Sequence, residues 1–163
     1  MKIKSLMTMT MAAVAFVMSM SSCSSSDDEP EVAVATQVAG TYTGEEIMTV
    51  MGEVFNGTAT YAFVKSTDTS LDMTIPASSG GTMNMNIPAL PVKNITLTKS
   101  GNTITGKLAS YTGTATNADG KEKSFTVSDL TAIFDNKAVV VTYTLKYGNM
   151  PFSFSGAFSG TKQ

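Results

Sequence analysis

The chain has 163 residues, a formal net charge of −2, a single Cys, and neither His nor Arg. It therefore cannot form a Ser-His or Cys-His pair or a His- or Cys-based metal site within one chain, and acid–base work would fall to Asp, Glu, Lys or Tyr. With Lys as its only base it lacks the charge footprint and the bidentate guanine reader of a nucleic-acid-binding protein. No nucleic-acid partner, cofactor, metal or enzymatic activity is expected.

Residues 1–22 read as a secretion signal. Lys2 and Lys4 give a positive start, and Leu6–Met20 is an apolar stretch softened by Thr8, Thr10 and Ser19. At 15 residues it falls short of the roughly 20 that a spanning helix needs, and it fits a signal core. The stretch ends in Met20-Ser21-Ser22-Cys23, which resembles a bacterial lipobox, with Met20 where that pattern prefers Leu. Ser21 and Ser22 are small enough for a peptidase to approach the backbone. The resemblance implies cleavage before Cys23 and acylation of its sulfur, palmitate being one such chain. A lone Cys in an exported chain has no disulfide partner, and acylation gives it a role. Each buried methylene adds about 0.8 kcal/mol, and two or more chains make a stable anchor. The alternative is an ordinary cleaved signal followed by an incidental Cys. Removal of residues 1–22 leaves 141 residues (163 − 22) with 9 Lys against 13 acids, a balance of −4.

Residues 23–37 read as a lipidated Cys and an acidic, flexible tether, since Ser24–Glu31 holds no apolar residue. Ser26, Asp27, Asp28 and Glu29 resemble the export signals that follow the Cys in lipoproteins displayed on some Gram-negative cells. The resemblance implies an outer membrane lipoprotein on the cell surface, with the periplasmic face as the alternative. The same residues also serve as a solvated spacer.

From Val38 to the end the pattern is that of strands with one buried face, apolar residues alternating with polar ones. Tyr42, Met48 and Val50 share one parity with Glu46. Leu71, Met73 and Ile75 alternate with Asp72 and Thr74. Met83, Met85 and Ile87 alternate with Asn84 and Asn86, and Ile95 and Leu97 with Thr96 and Thr98. Parity slips around Ser128-Asp129-Leu130, from Phe125 and Val127 to Leu130, Ala132 and Phe134, which predicts a bulge or corner. Val139 to Tyr147 and Phe152 to Phe158 complete the series. Asn56-Gly57 is the strongest turn signal, because a tight primed turn needs positive φ twice. Ser100-Gly101-Asn102, Asp119-Gly120, Asp135-Asn136 and Gly148-Asn149 predict further turns, and Ser78–Gly81 a longer flexible loop. Pro88-Ala89-Leu90-Pro91 interrupts pairing. Hairpin connections make an antiparallel meander, and closure would remove its exposed edges.

Val38-Ala39-Gly40-Thr41-Tyr42-Thr43-Gly44 and the closing Phe154–Lys162 resemble the first and last strands of calycin-like domains in bacterial lipoproteins. The form is similar to lipocalins, which open with Gly-x-Trp and carry a late Arg. Here Gly40-Thr41-Tyr42 opens the domain and Lys162 occupies the late basic position. The resemblance implies that residues 38–163 form an all-β domain, an antiparallel up-and-down meander closed into a calycin-like β-barrel of about 8–10 strands. By analogy of fold it also implies a small apolar or lipid-like ligand.

Met48, Phe63, Met73, Met83, Met85, Phe125, Tyr143 and Phe154 are the candidate ligand-lining residues, Met being flexible enough to accept varied apolar shapes. The competing reading is that they fill a small barrel solidly. Glu45, Glu46 and Glu53 cluster near the first hairpin. Paired carboxylates serve glycoside chemistry, but these three read as solvated edge charges that discourage strand addition. Two functions follow: a membrane-anchored binding module for a small apolar ligand, or a filled barrel whose loops meet a surface protein or glycan.

Overall fold

The computed structural model describes residues 32–80 and 85–163. One short helix, α1 (Val34–Val38), precedes ten strands. They are β1 (Gly40–Val50), β2 (Glu53–Thr67), β3 (Ser70–Ile75), β4 (Ser78–Gly80), β5 (Met85–Ile87), β6 (Leu90–Ser100), β7 (Thr103–Thr116), β8 (Glu122–Asp135), β9 (Ala138–Tyr147) and β10 (Phe154–Lys162). Eight of them close in the order β1-β10-β9-β8-β7-β6-β3-β2, and β4 and β5 form a separate two-stranded hairpin between β3 and β6. Every pairing is antiparallel. The fold is the calycin-like up-and-down barrel that the alternation and the terminal strands imply.

Period-2 alternation places one set of side chains inside. On β9, Val139, Val141, Tyr143, Leu145 and Tyr147 are buried, while Val140, Thr142, Thr144 and Lys146 lie on the other face. On β10, Phe154 and Phe158 point in, and Ser155 and Ser159 are exposed. An eight-stranded barrel is just wide enough for side chains to fill. Tyr42, Phe63 and Phe134 meet edge to face at centroid distances of 5.1–5.8 Å, and Tyr61 stacks on Phe158 at 4.2 Å. Such pairs add about 0.5–1.5 kcal/mol each beyond burial. The outer wall carries Thr pairs, Thr43 with Thr60 and Thr112 with Thr126, whose hydroxyls are 3.0 and 3.1 Å apart. A bilayer-spanning barrel has the reverse arrangement, with its apolar band outside.

Several local expectations change. The first hairpin turns at Met51-Gly52, where φ is 50° and 85°, and Asn56-Gly57 runs within β2 opposite Ile47 and Glu46. A turn at Asn56-Gly57 would carry β1 past Val50, which pairs with the first residue of β10, Phe154, and leave its extension without that partner. Ser78–Gly80, expected in a flexible loop, pairs with β5. Pro91 lies within β6 opposite Thr74, so pairing is interrupted only at Pro88 and Ala89. The parity slip on β8 falls at Asp129, whose φ is 54°. β7 shifts in step, its more buried positions passing from Leu108 to Tyr111. Residues 32–37, expected in the tether, belong to the compact unit, with Ala35 buried against the barrel. Cys23, Ser26, Asp27, Asp28, Glu29 and Met83 lie outside the described residues, and Met85 enters only as backbone of β5.

Candidate functional site

The two barrel ends differ. One gathers the tight turns β2–β3, β6–β7 and β8–β9 together with α1. There the Ala35 amide donates to the Asp68 carbonyl at 3.1 Å, the Tyr42 hydroxyl to the Val38 carbonyl at 3.0 Å, and the Lys162 ammonium to the Gln37 carbonyl at 3.2 Å. Ala35 and Val38 are buried, so α1 caps this end, with a groove of about 290 Å³ left beside it between Gln37, Lys99, Asn102 and Asn136. Lys162 thus holds the helix, and its stem passes over Gly40, where a Cβ would stand 2.7 Å from Cε.

The opposite end carries the Met51-Gly52 turn, the β4–β5 excursion and the longer connections β7–β8 and β9–β10. A half-open cleft of about 590 Å³ lies there, lined by Met48, Val54, Phe55, Ala77 and Ile87 and by the polar residues Glu46, Asn56, Thr58, Ser78 and Ser79. Gly57, opposite Glu46 in the ladder, also lines it; a Cβ at position 57 would meet nothing within 4 Å.

Glu46 shares the inward parity of Tyr42 and Met48 and is half-buried. The Tyr61 hydroxyl donates to its Oε1 at 2.5 Å, and the Tyr61 and Tyr143 hydroxyls lie 3.0 Å apart. A phenol has one proton and a carboxylate only accepts. Tyr61 therefore gives its proton to Glu46 and accepts that of Tyr143, so the chain runs Tyr143 to Tyr61 to Glu46. Burial pushes both phenols well above the ordinary tyrosine range, with Glu46 adding to the shift, and they stay neutral far into alkali. Tyr143 fits because Gly156 opposes it on β10.

Glu46 is thus not the solvated edge charge expected of it. Glu45 and Glu53, the other members of that cluster, are exposed. Its parity in the sequence was the available signal; Tyr61 and Tyr143, 15 and 82 residues from their partners, carried none. Of the expected lining set, Met48 borders the cleft. Phe63, Met73, Phe125, Tyr143 and Phe154 are buried in the barrel core. Tyr143 also borders a shallower groove of about 350 Å³ in the wall, with Ile47, Ser155 and Ala157.

No protein-family model matches the chain, and no curated protein does. Among solved structures it is similar to a candidate outer membrane protein from Bacteroides fragilis, with 17% identity and a TM-score of 0.64 over 80% of this chain and 53% of that one. The chain thus spans about half the length of that protein. A redesigned β-barrel also matches, with 12% identity and a TM-score of 0.38 over 82% of this chain and 97% of that one. At 17% identity the first likeness supports the eight-stranded barrel fold.

Proposed function

We propose that this protein is a lipid-anchored binding module that takes a small amphipathic molecule in the cleft at the open end of its barrel. The cleft carries the reading: about 590 Å³ lies within the usual 300–1,000 Å³ of small-molecule sites, and its lining sets the polar Glu46, Asn56, Thr58, Ser78 and Ser79 beside the apolar Met48, Phe55 and Ile87, as an amphipathic occupant needs. Beneath it the aromatic clusters fill the interior, so the ligand sits at the mouth. The chain enters the barrel through α1 at the capped end. Cys23 precedes Val32 by nine residues (32 − 23), at most about 30 Å of extended chain. The Thr- and Ser-rich outer wall suits a barrel that stands beside a bilayer. An outer-membrane address agrees with the likeness to the Bacteroides fragilis protein, and Ser26–Glu29 would direct surface display.

A second reading, a surface protein or glycan met by the wall or loops, is favoured by Ile133 and Val140, register partners that are 44% and 47% exposed. Native mass spectrometry of the protein purified from its membranes separates the two. A small mass that is lost on denaturation supports the binding module. A clean apo mass across several expression hosts refutes it.

A further inference from the structure

We infer that the occupant of the open-end cleft carries a cationic amine head seated on Glu46, with its apolar body against Met48, Phe55 and Ile87. The inference rests on reading the cleft as a binding site. Glu46 is the one charged side chain among the described residues lining it. The hydrogen-bond donors that reach Glu46 belong to neutral groups, since Tyr61 donates directly and Tyr143 stands behind it. The ion pairs among the described residues, Lys65 with Asp68 and Lys93 with Asp72, involve other carboxylates. A half-buried carboxylate is stabilised further by a charge of opposite sign than by neutral donors alone. The Tyr61 phenol engages Oε1 and the Tyr143 hydroxyl also acts on the carboxylate, so these partners of Glu46 are neutral hydroxyls that leave its negative charge unbalanced. Gly57 keeps the space across the ladder from Glu46 clear, since no side chain projects there.

The chemistry ranks three heads on the same tail. An ammonium both donates and neutralises, and charge-assisted hydrogen bonds are roughly twice as strong as neutral ones. A hydroxyl donates without neutralising. A carboxylate is repelled, which argues against fatty acids as occupants.

The test uses the intact protein in nanodiscs, titrated calorimetrically with hexylamine, hexanol and hexanoate against empty nanodiscs. Hexylamine should bind about tenfold or more tightly than hexanol, with hexanoate weakest. Glu46→Gln keeps an acceptor for Tyr61 and should erase the preference for amine, so that hexylamine binds no more tightly than hexanol. Gly57→Leu should weaken all three probes by filling the cleft. Equal binding of amine and alcohol by the wild type, or an amine preference that survives Glu46→Gln, overturns the head-group assignment and leaves the cleft reading standing. Failure of all three probes to bind overturns the cleft reading itself.

Discussion

Gly156→Ala should damage the barrel far more than its single methyl suggests. Gly156 sits on β10 between Met48 of β1 and Tyr143 of β9. A Cβ there would stand 2.2 Å from Tyr143 Cζ, 2.5 Å from Cε2 and 2.6 Å from the hydroxyl oxygen. Carbon atoms pack comfortably at about 3.5 Å, so the ring must retreat by about 1.3 Å (3.5 − 2.2). Tyr143 is 3% exposed and packed into the interior, so its ring moves only by disturbing its neighbours. Forcing the packing costs about 1–3 kcal/mol. Displacement also breaks the 3.0 Å contact with Tyr61, and a buried hydroxyl without a partner costs about 1–3 kcal/mol more. The sum, about 2–6 kcal/mol, is a large part of the 5–15 kcal/mol that holds a typical domain folded. Urea unfolding followed by far-ultraviolet circular dichroism should show the midpoint falling by about 1–3 M. Gly57→Ala is the matched control, because its Cβ meets nothing within 4 Å; it should change stability by no more than about 0.5 kcal/mol. If the two variants unfold at the same midpoint, the packing reason given for Gly156 is wrong.

Tyr61→Phe removes the donor to Glu46 and the acceptor of Tyr143, and should cost about 1–3 kcal/mol in the same urea assay. At β6 the ladder passes from Leu71 opposite Ile95 to Met73 opposite Val92, and Asp72 spans this bulge by accepting from Lys93 at 2.8 Å and from the Asn94 amide at 3.1 Å. Burial raises the Asp72 carboxyl, but the bonds from Lys93 and Asn94 outweigh it and hold the group below the ordinary carboxylate range. Its stabilisation is therefore present above about pH 4 and lost as pH falls through the lowered folded value, so the gap between wild type and Asp72→Ala should close in acid; an equal gap at neutral and acid pH would refute this. Tyr61 and Tyr143 are shifted the other way, their folded values lying above the unfolded one. The stability they contribute is complete below about pH 10 and declines above it, so tyrosinate absorption from these two should appear together with loss of β-structure, and its appearance in a folded barrel would contradict their burial. Cys23→Ser should abolish incorporation of a labelled fatty acid; labelling that persists in the variant would remove the anchor.

Much of the barrel was legible because alternation is a local property. Val139–Tyr147 and Leu71–Ile75 carry strong apolar contrast between successive residues, and both are strands with the expected face buried. The corner at Asp129 was legible for the same reason, since Val127 and Leu130 break an otherwise regular parity. The matching shift on β7 was not, because Gly106, Ala109, Ser110 and Gly113 are too small to mark a face. At the first hairpin, local turn chemistry favoured Asn56-Gly57, while pairing with β10 set the turn at Met51-Gly52.

By itself the sequence determined which residues alternate between the two faces, where the chain carries its lone Cys and the acidic stretch after it, and that the domain is all-β. Tertiary structure alone decided which inward residues meet. Glu46, Tyr61 and Tyr143 come from three strands, and only the closure of β1 on β10 with β9 beside it joins them into one chain of hydroxyls ending on a carboxylate. The physical reason is that alternation assigns a side to each residue but no partner across the barrel. Partners follow from stagger and closure, which depend on every strand at once.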